Sequence, residues 1–238
     1  MEMLIMYAPA HTAIALAAKR MNPSASLIGL MVAAQGSELL WVIFNYLGIE
    51  HSTVDAGGML HLEYLPYSHS LLTGIVGGVL LWALLRFVFE RKDVATIFGW
   101  VFVSHIVLDV IQHEPNIQIA PWMPTPGIGL DLQSIPWLDF AIELAFCIAC
   151  WAYYRGSLRL LTGFIAINII DLPLMFAGDG AASPLASNAI ILPTIVLVTI
   201  IAAWAVVYAF HKPRKRSVSA TEEGNLNYER TDAHEHNP

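Results

Sequence analysis

The sequence predicts an all-α, polytopic helical membrane bundle of about six full spans, preceded by a short N-terminal helix. Three observations predict it. Of 238 residues, 56% are hydrophobic and 13% charged, and a mean hydropathy of +0.59 is too high for an ordinary soluble domain. Apolar runs of about 20 residues recur, the length at which a helix crosses about 30 Å of hydrocarbon. Lys and Arg also sort onto alternate connections, the pattern that orients multi-pass proteins.

The first element, residues 9–20, is rich in Ala and too short for a full span. No basic leader precedes an apolar run, so a cleaved signal peptide is not expected. Full spans are predicted at 25–49, 68–90, 94–112, 135–155, 157–176 and 188–210, which makes 1–210 a single integral membrane domain. After Phe210 come the basic residues Lys212, Arg214, Lys215 and Arg216 and a polar stretch. With too little apolar surface to fold, 211–238 is expected to be a disordered cytoplasmic tail.

Lys19 and Arg20, then Arg86, Arg91 and Lys92, then Arg155 and Arg159, then the cluster after Phe210 fall on connections that share one side. That side is expected to be cytoplasmic, in the inner membrane. The opposite connections, 50–67, 113–134 and 177–187, hold no Lys or Arg but carry Glu50, Asp55, Glu63, Glu114, Asp131 and Asp179. The net charge of −7 comes largely from acids in the tail and beside candidate sites. No basic patch points to a nucleic-acid partner, and membrane lipids are the expected surroundings.

Within this frame the ionisable residues of apolar segments stand out. His105, Asp109 and His113 follow one another at i, i+4 and i+8, nearly on one helix face, and intramembrane ionisable groups are costly enough to suggest function. At 1.5 Å rise per residue, Glu38, Asp109 and Asp171 lie about 20 Å from the cytoplasmic end of their helices. Glu143 lies about 12 Å below the outer end of its helix, and His69 sits at an outer helix start. All converge on the outer half of the membrane.

Metal chemistry is the best physical use of this set. A His–Asp pair at i, i+4 offers a nitrogen and an oxygen ligand from one rigid helix, suited to Zn²⁺ or a similar divalent ion. Ser68 is a candidate N-cap, and the helix dipole beside His69 would keep its imidazole neutral and ready for metal. The expected metal residues are His11, His69, His105, Asp109 and His113, with Glu38 and Glu143 as catalytic carboxylates. His51 and His61 read as loop residues. Cys147-x-x-Cys150 reads as apolar packing, and Gly74-x-x-x-Gly78 as a close helix-packing surface.

The motifs Ala10-His11-Thr12-Ala13, Ala33-Ala34-Gln35-Gly36-Ser37-Glu38-Leu39-Leu40-Trp41, Pro66-Tyr67-Ser68-His69-Ser70-Leu71-Leu72 and Ser104-His105-Ile106-Val107-Leu108-Asp109 together resemble the membrane-bound metal-dependent hydrolases related to the LexA-regulated inner-membrane family. The likeness covers approximately residues 8–150. It implies that His11, Glu38, His69, His105 and Asp109 occupy the polar positions of the site, with His113 extending the pattern. A more distant likeness to zinc-dependent phospholipases C and single-strand nucleases implies phosphoester hydrolysis. Glu38 stands where the family usually has Asp, Asn116 where it commonly has Asp, and the His-Arg-Gly signature before His69 is absent.

The expected function is therefore metal-dependent hydrolysis of an ester or phosphoester, on a lipid or lipid-linked substrate at the outer face. The alternative is a transporter or ion-conducting protein that uses the same carboxylates and histidines as a relay.

Overall fold

The computed structural model describes residues 8–54, 60–64, 66–123, 127–175 and 190–212; for residues 8, 52–54, 60–64 and 171–175 the backbone alone is described. Among the described residues, the regular structure is helical apart from one small hairpin. In order come α1 (Ala8–Met21), α2 (Leu27–Ala34), α3 (Gly36–Tyr46), the antiparallel strands β1 (His51–Val54) and β2 (Leu60–Tyr64), and α4 (Leu71–Ala83). They are followed by α5 (Lys92–Gln112), α6 (Pro136–Tyr154), α7 (Leu158–Met175) and α8 (Ile191–Phe210).

Among the described residues, four helical stretches are long and apolar enough to cross a membrane: Leu71–Val88, Lys92–Gln112, Pro136–Tyr154 and Ile191–Phe210. A fifth arises if α2 and α3 together make one span. The segment predicted at 25–49 is broken, because α2 and α3 meet at an angle of 60°. The break falls at Gln35-Gly36. A side chain at Gly36 would run into the Phe102 ring on α5, so only glycine lets the backbone turn there against its neighbour. Trp204 Nε1 on α8 donates to Gln35 Oε1 and pins the break from the other side. The segment predicted at 68–90 opens at Leu71, and its last turn, Leu84–Val88, is π-helical.

The short first helix is the centre of the molecule instead of an appendage. Ala13, Ala15 and Leu16 are fully buried, and α1 packs against α2, α5, α6, α7 and α8. Its Ala-rich surface admits the approach of five neighbours, which periodicity alone does not reveal. α4 lies along α5 through glycines: a side chain at Gly74 would meet Ile106, and one at Gly78 would meet the Gly99 backbone. The Gly74-x-x-x-Gly78 stretch is thus a helix-packing surface. Cys147 and Cys150 are buried in the apolar core as free thiols. Large apolar side chains such as Val79, Leu80, Val107, Ile170 and Val198 point out of the bundle, as helices bathed in hydrocarbon would.

The basic residues share one end. Asn22 Nδ2 and Ser24 Oγ after α1 bond to Asp93 at the start of α5. Ser157 Oγ between α6 and α7 donates to Phe210 O at the end of α8. Arg20 lies over the Tyr153 ring near the end of α6, 5.4 Å from its centroid, which joins the two pairs, so Lys19, Arg20, Arg91, Lys92, Arg155 and Arg159 gather at this end. At the other end, residues 113–123 and 127–131 fold back on the helices: Leu71 N and Leu72 N donate to Gln118 O and Ile119 O, and Leu130 N donates to Val110 O. The expected tail lies outside the described residues from 213 onward, as do the connection 177–187 and the side chains of His61 and Asp171.

A candidate metal centre between α1, α3 and α5

Asp109 lies about 25 Å along α5 from the basic end, at 1.5 Å per residue, and so close to the opposite end. Four elements bring ionisable side chains to it. α1 supplies His11, the first turn of α3 supplies Glu38, the turn before α4 supplies His69, and α5 supplies His105 and Asp109. All but Glu38 are buried, and Glu38, 25% exposed, forms the accessible rim.

Two of the four separations match a ligand shell and two are slightly wider. His105 Nε2 lies 3.3 Å from Asp109 Oδ2 and 3.9 Å from Glu38 Oε1. His69 Nε2 lies 3.5 Å from Glu38 Oε1 and 3.9 Å from Asp109 Oδ2. A tetrahedral ion bound at about 2.0–2.2 Å spaces its ligand atoms about 3.3–3.6 Å apart. His105 Nε2 and Asp109 Oδ2 are both buried, and neither has a hydrogen-bond partner although they are 3.3 Å apart. A histidine–carboxylate salt bridge would align an N–H with the oxygen; two acceptors aimed at one point fit a cation between them. Two groups could each hold a metal ion, His11 with His105 and Asp109, and Glu38 with His69 and His105.

The imidazoles are oriented from behind. His105 Nδ1 is 2.8 Å from Ala34 O, and because a carbonyl only accepts, Nδ1 carries the proton and Nε2 faces the cluster as a bare lone pair. That carbonyl is available because α2 ends at Ala34, so the break in the span serves the site. His69 is set by a relay. Glu50 Oε1 accepts from Tyr67 N at 2.8 Å and Ser68 N at 2.9 Å, and Ser68 Oγ donates to Glu50 Oε2 at 2.6 Å. Having given its proton to Glu50, Ser68 Oγ accepts from His69 Nδ1 at 2.7 Å, which turns His69 Nε2 toward Glu38 Oε1 and Asp109 Oδ2. This is the outer-partner arrangement that metal-binding histidines commonly show.

The helix cap differs from expectation. Ser70 caps α4, accepting from Thr73 N, while Ser68 belongs to the relay, so His69 precedes the helix. Glu50 reads in the sequence as a loop acid, yet it is fully buried. No charge pattern marks it, and only its neighbour Ser68 beside His69 hints at a role. Of the expected metal residues, His11, His69, His105 and Asp109 come together with Glu38. His113, at the C-cap of α5, belongs to neither group, and Glu143 is buried on α6 outside both.

No protein-family model matches the chain, and neither curated proteins nor solved structures yield a match. The molecule is a helical protein with helices able to span a membrane and a buried His/Asp/Glu cluster that could hold a metal ion.

Proposed function

We propose that the chain is a multi-pass protein of the cytoplasmic membrane that hydrolyses an ester or phosphoester, with a lipid or lipid-linked substrate, using a divalent metal, Zn²⁺ by the mixed nitrogen and oxygen donors. The observation that carries this reading is the pair of backed imidazoles: His69 and His105, each held at Nδ1, turn Nε2 toward the buried Asp109 oxygen, and His105 Nε2 has no hydrogen-bond partner there. The four-motif resemblance to membrane-bound metal-dependent hydrolases supports it. The basic end fits a cytoplasmic side, with six crossings if α7 and the α2–α3 pair each count as one and the C-terminus inside.

His69 Nε2, His105 Nε2 and Asp109 Oδ2 would hold the ion, with Glu38 Oε1 beside them. Such an ion supplies Lewis acidity and makes water more acidic. Glu38, at the rim, takes the proton of the attacking water as general base and returns it to the leaving oxygen. The buried walls exclude bulk water, and the apolar exterior admits a substrate from the bilayer.

The test is hydrolysis of phospholipid vesicles and chromogenic phosphodiesters by detergent-purified protein. Glu38→Gln lowers kcat about 10²–10⁴-fold with metal retained. Hydrolysis undiminished in His105→Ala protein would remove the reading. A second reading, transport, is favoured by the 60° break between α2 and α3, since broken helices line many transport sites. Ion or solute flux in proteoliposomes that Glu38→Gln abolishes, without hydrolysis, would select it.

A further inference from the structure

The geometry points to a one-ion centre in which His11 is not a ligand but a positioning residue that holds Asp109. This deepens the metal reading above and rests on it. The two triads share His105, and His105 has a single nitrogen to give, because Nδ1 is committed to Ala34 O. They therefore cannot be completed as two separate three-ligand centres.

Ring geometry then separates His11 from the rest. An imidazole binds along a lone pair in the plane of its ring, so the ion lies in that plane about 2.0–2.1 Å from the nitrogen. The His11 and His105 rings are stacked, with centroids 3.9 Å apart and planes 18° from parallel. Over the length of ring and bond, that tilt brings the two planes only about 1 Å closer. An ion in the plane of His105 therefore lies well off the plane of His11. His69 is different: its ring is tilted 57° from that of His105, with centroids 5.5 Å apart, so the two in-plane directions can cross at one point.

His11 instead addresses the far side of the carboxylate. His11 Nε2 lies 3.3 Å from Asp109 Oδ1, whereas His105 and His69 face Asp109 Oδ2. As a donor, His11 fixes the rotation of the carboxyl group and so aims Oδ2 at the ion. Its place on the fully packed α1, with Thr12 and Ala13 entirely buried beside it, gives that aim a rigid base. A second ion at His11 and Asp109 Oδ1 would have two protein ligands, too few for a dedicated site.

Cobalt(II) tests this, because its visible absorption reports its ligands. Full-length protein in detergent, as wild type, His11→Gln, His11→Asn, His11→Ala and His105→Gln, is titrated with Co²⁺, reading cobalt per chain and band positions. One cobalt per chain is expected in wild type and in His11→Gln, with the same bands. Affinity falls about 10–100-fold in His11→Ala and recovers in part in His11→Gln or His11→Asn, which keep a donor. His105→Gln shifts the bands or loses the metal. Two cobalts per wild-type chain, or shifted bands in fully loaded His11→Gln, would overturn the inference while leaving a metal centre. Wild-type protein that binds no cobalt would overturn the metal reading and this inference with it.

Discussion

α5 and α6 each bury an i, i+4 pair of ionisable residues, and only one pair belongs to a candidate centre. His105 and Asp109 on α5 are 0% and 2% exposed; Asp139 and Glu143 on α6 are 2% and 4% exposed. Spacing and burial are thus the same. The difference lies in what faces them. α5 looks onto His11, Glu38 and His69, with the imidazoles held by Ala34 O and by the Glu50–Ser68 relay, whereas neither α6 carboxyl group joins a potential metal group among the described residues. Burying carboxyl groups does not make a metal centre. Converging, oriented nitrogen lone pairs do.

The largest expected effect lies on the α5 side. Asp109→Ala or His105→Ala removes a ligand and should abolish retention of metal, a loss beyond the about 10–100-fold that follows removal of an outer partner. Equilibrium dialysis with Zn²⁺ checks it, and full retention in either variant would erase the distinction between the two helices. Next comes the relay. Glu50→Gln and Ser68→Ala should weaken metal binding by about 10–100-fold, with Glu50→Asp recovering part of the loss.

On the α6 side, Glu143→Gln should leave metal affinity within about twofold while costing about 1–3 kcal/mol of stability as a buried polar group loses its fit. Metal affinity that instead collapsed in this variant would move Glu143 into the centre. A smaller, purely steric change is Gly77→Ala on α4, where a side chain would run into the Phe102 ring. Overpacking of this kind costs about 1–3 kcal/mol, read as a lower melting temperature in detergent with metal stoichiometry unchanged. Smallest of all, Arg91→Ala deletes an ion pair with Asp93 that is about half exposed on both sides, and neither melting temperature nor metal content should move.

Much of the helical plan was legible because hydrocarbon-length apolar runs and the placement of Lys and Arg are properties of short segments. His105, Asp109, His69 and Glu38 were legible for a related reason: an ionisable group in an apolar run is conspicuous whatever surrounds it. The break at Gln35-Gly36 was not, since Gly36 turns there only in response to Phe102, 66 residues away in sequence. Glu50 was hidden likewise. Its burial depends on the turn at Tyr67 and Ser68 folding back on it, a long-range contact that leaves no periodic mark. The length of α1 marked it only as too short for a full span; its central position follows from alanines that permit five helices to close around it, a property of the fold and not of the segment.

The central claim is that His69, His105 and Asp109 form a metal centre. Elemental analysis of the detergent-purified, full-length chain tests it most directly, comparing wild type with His105→Ala after equilibration with Zn²⁺ and removal of free ion. The expected result is about one zinc per wild-type chain, as a single four-coordinate site requires, and almost none in His105→Ala. Equal zinc in the two proteins, or none in wild type, would contradict it.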